Sequence, residues 1–351
     1  MVQLKKQSYP YLFAAVALLF TACNNDDDHT ISEPEEVGTY AKGFFILNEG
    51  NSSPTSSSIS FLKNGTMQTD IFRKENPNSP EIGTYLQSMF FDKKYAYIIS
   101  SNSNSVTVVD KNTFKYVKTY NENLDTPRYG LVHNGKAYIT NQGAWNLKDD
   151  FVTVIDLSSG KSEKIMANDY TELITEENNK IYISNGYYSE GTTVMVLNPQ
   201  NNQFEKKIDL GENNSPIAWE EENNSLYILT SGKRLLKMNL VNHQIQTQDL
   251  PSDISMVGHL KIEDDFLYYT SANKVYKQKL DSKLSETPLF SYESSSQYGV
   301  MYGFTVDDNR IYISDATDFN SDGRVLEYST NGSFIKEYKT GIAPNGFYKN
   351  D

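Results

Sequence analysis

The sequence predicts an all-β protein, a seven-bladed β-propeller with four-stranded blades whose C-terminal strand completes the N-terminal blade. Three observations carry this. An apolar strand centred on an aromatic residue recurs at Phe45, Tyr97, Tyr138, Tyr182, Tyr227, Tyr268 and Tyr312. From Tyr97 onward the spacings are 41, 44, 45, 41 and 44 residues, and the first gap of 52 carries an insertion around Asn76–Glu81. A fixed period of roughly 40–50 residues, all strand and turn, marks propeller blades. Finally, the first repeat is short of one strand, and the chain ends with one strand to spare.

Each unit reads as four strands. Around Tyr182 these are Glu172–Glu176, Lys180–Ser184, Thr193–Leu197 and Phe204–Leu210, rich in β-branched and aromatic residues and bounded by Asn, Gly, Asp or Ser. A four-stranded sheet that is apolar on both faces needs a like sheet on either side, and a closed ring supplies both. Full units start near Tyr85, Tyr129, Tyr170, Pro216, Gly258 and Tyr302. The N-terminal unit, Gly43–Phe72, holds only second, third and fourth strands, and the tail Ala343–Lys349 reads as a first strand. Pairing the two hides both edges and closes a ring of seven. The propeller is placed at 41–351.

The leading residues stand apart. Lys5 and Lys6 precede an apolar Tyr11–Phe20, too short to span a bilayer, then Thr21, Ala22 and Cys23. This reads as a signal peptide over 1–22. Cys23 is the single cysteine, so no intrachain disulfide forms. A lone cysteine after small residues resembles a bacterial lipobox, with Phe20 where leucine is usual, and implies lipidation of Cys23. Several acyl chains, at about 0.8 kcal/mol per buried methylene, hold such a protein firmly. Residues 23–40 form an acidic tether that opens Asn24-Asn25-Asp26-Asp27-Asp28. An acidic run there resembles the surface-export signal of Bacteroidetes lipoproteins. The chain carries −13, or −15 once Lys5 and Lys6 leave with the signal. That balance argues against nucleic acid and against binding to anionic lipid surfaces through charge.

Beyond the repeat itself, the units from Tyr97 and Tyr138 carry V-x-V-[VI]-D and look like YVTN-type propeller repeats. NEGN at Asn48–Asn51, GTYLQSM at Gly83–Met89, PRYG at Pro127–Gly130, the segment from Ile313 and GIAPNGF near the C-terminus resemble the YncE-like, DUF5074-like surface lipoproteins of Bacteroidetes. That group includes the BtuG-like cobalamin-binding proteins. The resemblance implies capture of cobalamin or another corrinoid at the outer-membrane surface and delivery to a TonB-dependent transporter. The rival reading is a glycan- or protein-binding surface module without a transport role.

In a propeller, the loops joining second to third strands and those leading into each inner strand open on one face, where function collects. The candidate ligand-binding residues on that face are Tyr85, Arg128, Tyr129, Asn141, Trp145, Tyr187, Tyr188, Tyr298 and Tyr302. Tyr and Trp give rigid contact area and Asn adaptable hydrogen bonds, which suits a large, flat, mostly neutral ligand. Asp318–Gly323 matches the first half of a calcium loop, but its twelfth position is Ser329 rather than Glu, and an Asx-rich turn explains the same letters. His29, His133, His243 and His259 show no metal spacing. The chain lacks H-E-x-x-H, G-x-S-x-G, P-loop and G-x-G-x-x-G patterns. Asp110 and Asp156 read as turn caps. Glu49, Glu172 and Glu220 are the carboxylates an enzyme reading would cite, as a propeller lactonase or a glycosidase-like pair. The expectation is a binder with no catalytic residue, metal or cofactor.

Overall fold

The computed structural model describes residues 38–144, 147–186, 190–294 and 301–351. Seven four-stranded antiparallel sheets form the ring. Their inner strands are Pro344–Asn350 in blade 1, then Leu86–Phe91, Pro127–His133, Ile174–Glu177, Pro216–Glu222, Val257–Glu263 and Met301–Asp307 in blades 2 to 7. The hairpins between first and second strands of blades 3 to 7 are built on left-handed pairs. Asn178–Asn179, Asn223–Asn224, Asp264–Asp265 and Asp308–Asn309 all have positive φ at both positions. Asn and Asp tolerate that region, and the resulting turn matches the twist of the flanking strands. Asp110 and Asp156 do cap the turns that follow the third strands. Asp156 accepts from the Ser158 hydroxyl at 2.6 Å and from the Ser159 amide and hydroxyl at 2.7 and 2.9 Å, which holds its carboxyl down at about 2.

The core is not central. It consists of apolar layers between consecutive blades, such as Val106, Val108, Ala137 and Ile139 between blades 2 and 3, and Val194, Val196, Leu236 and Met238 between blades 4 and 5. Each sheet therefore depends on both neighbours, as the all-round apolar strands require.

The ring closes as the repeat count demands. Pro344–Asn350 pairs with Gly43–Asn48, with Phe45 opposite Tyr348. Asn350 ties the seam, donating to the Tyr40 and Lys111 carbonyls at 2.7 and 2.9 Å. Two details differ from the sequence reading. Tyr40 is fully buried and its amide donates to Asn112 at 2.9 Å, so packed structure begins before residue 41. The fourth strand of blade 1 is only Thr66–Gln68, because the following residues form a short helix, Ile71–Glu75, that buries Ile71 and Phe72. Asn76, which opens the insertion, pins that helix to blade 2 through Phe114 and Tyr116 at 2.9 and 2.7 Å.

Candidate functional site

A β-bulge recurs near the start of the inner strands. The register with the second strand shifts between Leu86 and Ser88, Pro127 and Gly130, Pro216 and Ala218, Val257 and Leu260, Met301 and Gly303, and opposite Pro344 and Gly346. A bulge takes a residue out of the ladder and re-aims its side chain. The residues so displaced are Gln87, Arg128, Ile217, Gly258, Tyr302 and Asn345, and Glu172 holds the same place just ahead of the blade 4 strand. Together they form a ring, one residue per blade, at the end of the axis where the second-to-third loops open. Arg128 and Tyr129 of blade 3 lie near enough to Tyr302 of blade 7 to act on its hydroxyl, the first lowering and the second raising its pKa. Hydroxyls on the second strands satisfy the backbone groups that the bulges free. Thr140 accepts from the Tyr129 amide at 3.1 Å and donates to the Glu172 carbonyl at 2.7 Å. Ser184 and Thr270 accept from the Leu173 and His259 amides, each at 3.0 Å, and Ser314 donates to the Pro344 carbonyl.

Five blades of this ring carry a continuous polar arc. Arg128 grips Glu172 bidentately, Nη2 to Oε1 at 2.7 Å and Nε to Oε2 at 3.0 Å, and reaches Gln87 Oε1 at 2.6 Å. Gln142 adds a third donor to Glu172 at 3.0 Å, and Gln87 donates to the Tyr129 hydroxyl at 3.3 Å. Asn345 donates to the Leu86 carbonyl at 2.7 Å. Glu49 enters from blade 1, held by its amide to the Ala343 carbonyl at 2.8 Å, and takes the Tyr302 hydroxyl as a donor. Burial raises the Glu49 carboxyl above its usual range, against the pull of Tyr302, Arg128 and Asn345. Burial, then the Glu49 charge, pushes the Tyr302 hydroxyl far up. The remaining two blades contribute Ile217, 37 % exposed, and Gly258, with Met256 beside it 51 % exposed. Deeper along the axis Lys261 pairs with Glu220 at 2.6 Å. His259 is held neutral, its basicity lowered by burial to about 4, with Nδ1 3.0 Å from the Thr270 hydroxyl.

Of the sequence candidates, Arg128, Tyr129 and Tyr302 lie in this assembly. Tyr85 sits at its edge with a positive φ of 53°, its carbonyl accepting from Ser101 at 3.1 Å. Asn141 is fully buried at a strand end, its amide donating to the Ile139 carbonyl and the Thr153 hydroxyl at 2.8 and 2.9 Å and its Oδ1 accepting from the Asp125 amide at 3.0 Å, so its polar groups are engaged within the fold. Trp145, Tyr187, Tyr188, Tyr298 and Cys23 lie outside the described residues. Sequence reasoning missed Gln87 and Asn345, and it named Glu49 and Glu172 only as carboxylates an enzyme reading would cite, with no sign that they converge, whereas both face Arg128. The available signal was positional. Gln87, Arg128, Glu172, Ile217, Gly258 and Tyr302 each stand ten residues before the aromatic centre of their second strand. In the calcium-like loop, Asp318 accepts from the Asn320 and Ser321 amides at 2.9 and 2.6 Å, the geometry of an Asx turn.

Solved structures share the architecture. A functionally unknown protein from Desulfotomaculum acetoxidans DSM 771 superposes with a TM-score of 0.66 at 10% identity, over 88% of this chain and 99% of that one. A streptogramin B lyase gives 0.59 at 12% identity over 88% and 95%, and BamB from Moraxella catarrhalis gives 0.55 at 13% over 90% of each. At such identities the likeness speaks for the fold alone. No curated protein sequence matches the chain. The family described as "Domain of unknown function (DUF5074)" matches residues 42–339, nearly the whole propeller, and the chain belongs to that family.

Proposed function

We propose that the protein is a capture protein that binds a nutrient over the bulged ring without chemical change. The observation that carries this is the ring itself: one residue per blade at the head of the inner strand, five in a polar arc and two in an apolar gap. The arc's carboxylates are already hydrogen-bonded to their neighbours. Glu172 accepts from Arg128 and Gln142, and Glu49 accepts from Tyr302. A general base needs a carboxylate free to take a proton from substrate. Groups locked in this way suit recognition better than proton transfer. Arg128 offsets Glu172 and leaves Glu49 over, and the whole chain is at −13, so the ring favours neutral or cationic ligands over anions.

A broad neutral ligand edged with amides and carrying apolar bulk matches such a mouth. Cobalamin or another corrinoid is the first ligand to test, on the sequence resemblance. The wider reading follows the same resemblance: anchorage through Cys23 at the outer-membrane surface, and delivery to a TonB-dependent transporter. Calorimetric titration of the purified protein with cyanocobalamin tests the ligand. We expect saturable one-to-one binding, weakened at least tenfold by Arg128→Ala and by Ile217→Asp, with the far-ultraviolet circular dichroism of each variant unchanged. No heat of binding to the folded protein rules out the corrinoid, and full affinity in both variants rules out the ring.

A further inference from the structure

A second site lies on the side wall, between blades 5 and 6. There Gln246, Gln248, Gln278 and Lys237 line a cavity of about 410 Å³ floored by Leu235 and Leu267. Two positions there break the pattern of the other blades. The third-strand residue facing the preceding blade is Leu62, Val109, Ile155, Leu197, Met238 or Tyr328 in six blades, and Gln278 in blade 6. The fourth-strand residue facing the following blade is Tyr120, Ile165, Ile208, Phe290 or Tyr338 in five blades, and Gln248 in blade 5. The two exceptions meet at the same interface.

The architecture keeps this interface open. The fourth strand of blade 6 is only Phe290–Ser291, whereas those of blades 2 to 5 and 7 have five to nine residues. The chain ahead of it instead supplies Asp281 and Ser282 to the cavity wall. Among the described residues, Gln246 and Gln248 make no side-chain hydrogen bond. Gln278 Oε1 accepts from the Ser285 amide at 3.4 Å, and among the described residues its NH2 group makes no hydrogen bond. Amides placed where packing calls for Ile or Tyr give up apolar contact for such open donors and acceptors. The one cation is already matched: Lys237 meets Asp281 at 2.6 Å, and the Tyr227 hydroxyl donates to the same carboxylate at 2.9 Å. The cavity is therefore neutral, amide-rich and apolar at its base.

We propose that this groove is a binding site for a neutral polyhydroxylated ligand, a small carbohydrate. Each glutamine amide offers a donor and an acceptor side by side, which fits adjacent sugar hydroxyls, and the leucines take the C–H face of the ring. The site is separate from the bulged ring and does not depend on its ligand. Saturation-transfer NMR of the purified protein with a panel of neutral hexoses and their disaccharides tests it, beside Gln248→Ile and Gln278→Leu, which install residues the other blades use. We expect saturable transfer from at least one sugar, weakened at least tenfold by either substitution and unchanged by Ile217→Asp. The melting temperature of the double variant should equal or exceed that of the parent, since a site held for function gains stability when filled with apolar side chains. Absence of transfer from every sugar overturns the proposal, as does transfer that survives both substitutions. A melting temperature several degrees lower in the double variant also overturns it, by showing that the amides serve the interface.

Discussion

At the scale of single residues, the most informative side chain near the mouth is Asp150. It is 2 % exposed and accepts from the Gly143 and Thr171 amides at 2.9 and 2.7 Å, closing the base of the loop that follows Asn141. Burial lifts its carboxyl from 3.8 to about 6, those two amides oppose the rise, and Asp149 and Glu172 add to it. The folded state therefore holds this proton more tightly than the unfolded chain does. The stability it contributes is fully present below the unfolded value and is lost as pH climbs through the folded one. Relative to Asp150→Asn, the parent should be more stable at pH 4 than at pH 7 by ~2 kcal/mol, since each tenfold change in proton affinity is worth about 1.4 kcal/mol. Urea denaturation of both proteins at the two pH values measures this, and a difference that does not change with pH refutes it. Asn141 shows why such residues were hard to read. Its letter suits a ligand loop, but its place at the last rung of a strand buries it.

At the scale of elements, the bulge and its hydroxyl form one unit. Thr140 serves the Tyr129 amide and the Glu172 carbonyl together, so it sets both the bulge of blade 3 and the approach of blade 4. Thr140→Val keeps the shape and strands both backbone groups. It should cost ~2 kcal/mol, in the range for an unsatisfied buried group, whereas Thr140→Ser should cost little. Thermal melts of the pair test this, and equal losses would place the effect in packing instead. Strands and hairpins were legible here because alternation and Asn- or Asp-rich turns are local signals. The bulges were not, because a bulge changes register without changing the letters of the strand. The short helix after Gln68 was also missed, since five residues set no helical period and Ile71 and Phe72 read equally well as strand.

At the scale of the whole molecule, the seven sheets and their closure followed from counting repeats, since six complete units and two fragments admit few arrangements. The polar arc did not, because its contacts join different blades: Arg128 to Gln87 and Glu172, and Glu49 to Tyr302. Only the ring geometry brings them together. Closure also predicts its own failure. Removing Pro344–Asp351 leaves the Gly43–Asn48 strand an unpaired edge and uncovers Phe45 and Leu47. An exposed apolar edge recruits other chains. The truncated protein should lose its cooperative thermal transition and elute from size exclusion as aggregate, whereas a sharp monomer peak would mean that the seam is dispensable.

The same seam fixes a direction. Gly43 pairs with Asn350 at the far end of the inner strand, while Asn48 pairs with Pro344 beside Glu49 and the bulged ring. Gly38 packs against Asn112, and Asp351 receives Lys111, so the described chain comes in and goes out through the floor of the propeller. A protein fixed to a sensor chip at Asp351 is thus held from behind, with its ring turned to the flowing liquid. Random coupling through lysines has no such bias, and the ratio of active molecules on the two chips would read out, without any mutation, which side of the wheel meets the ligand.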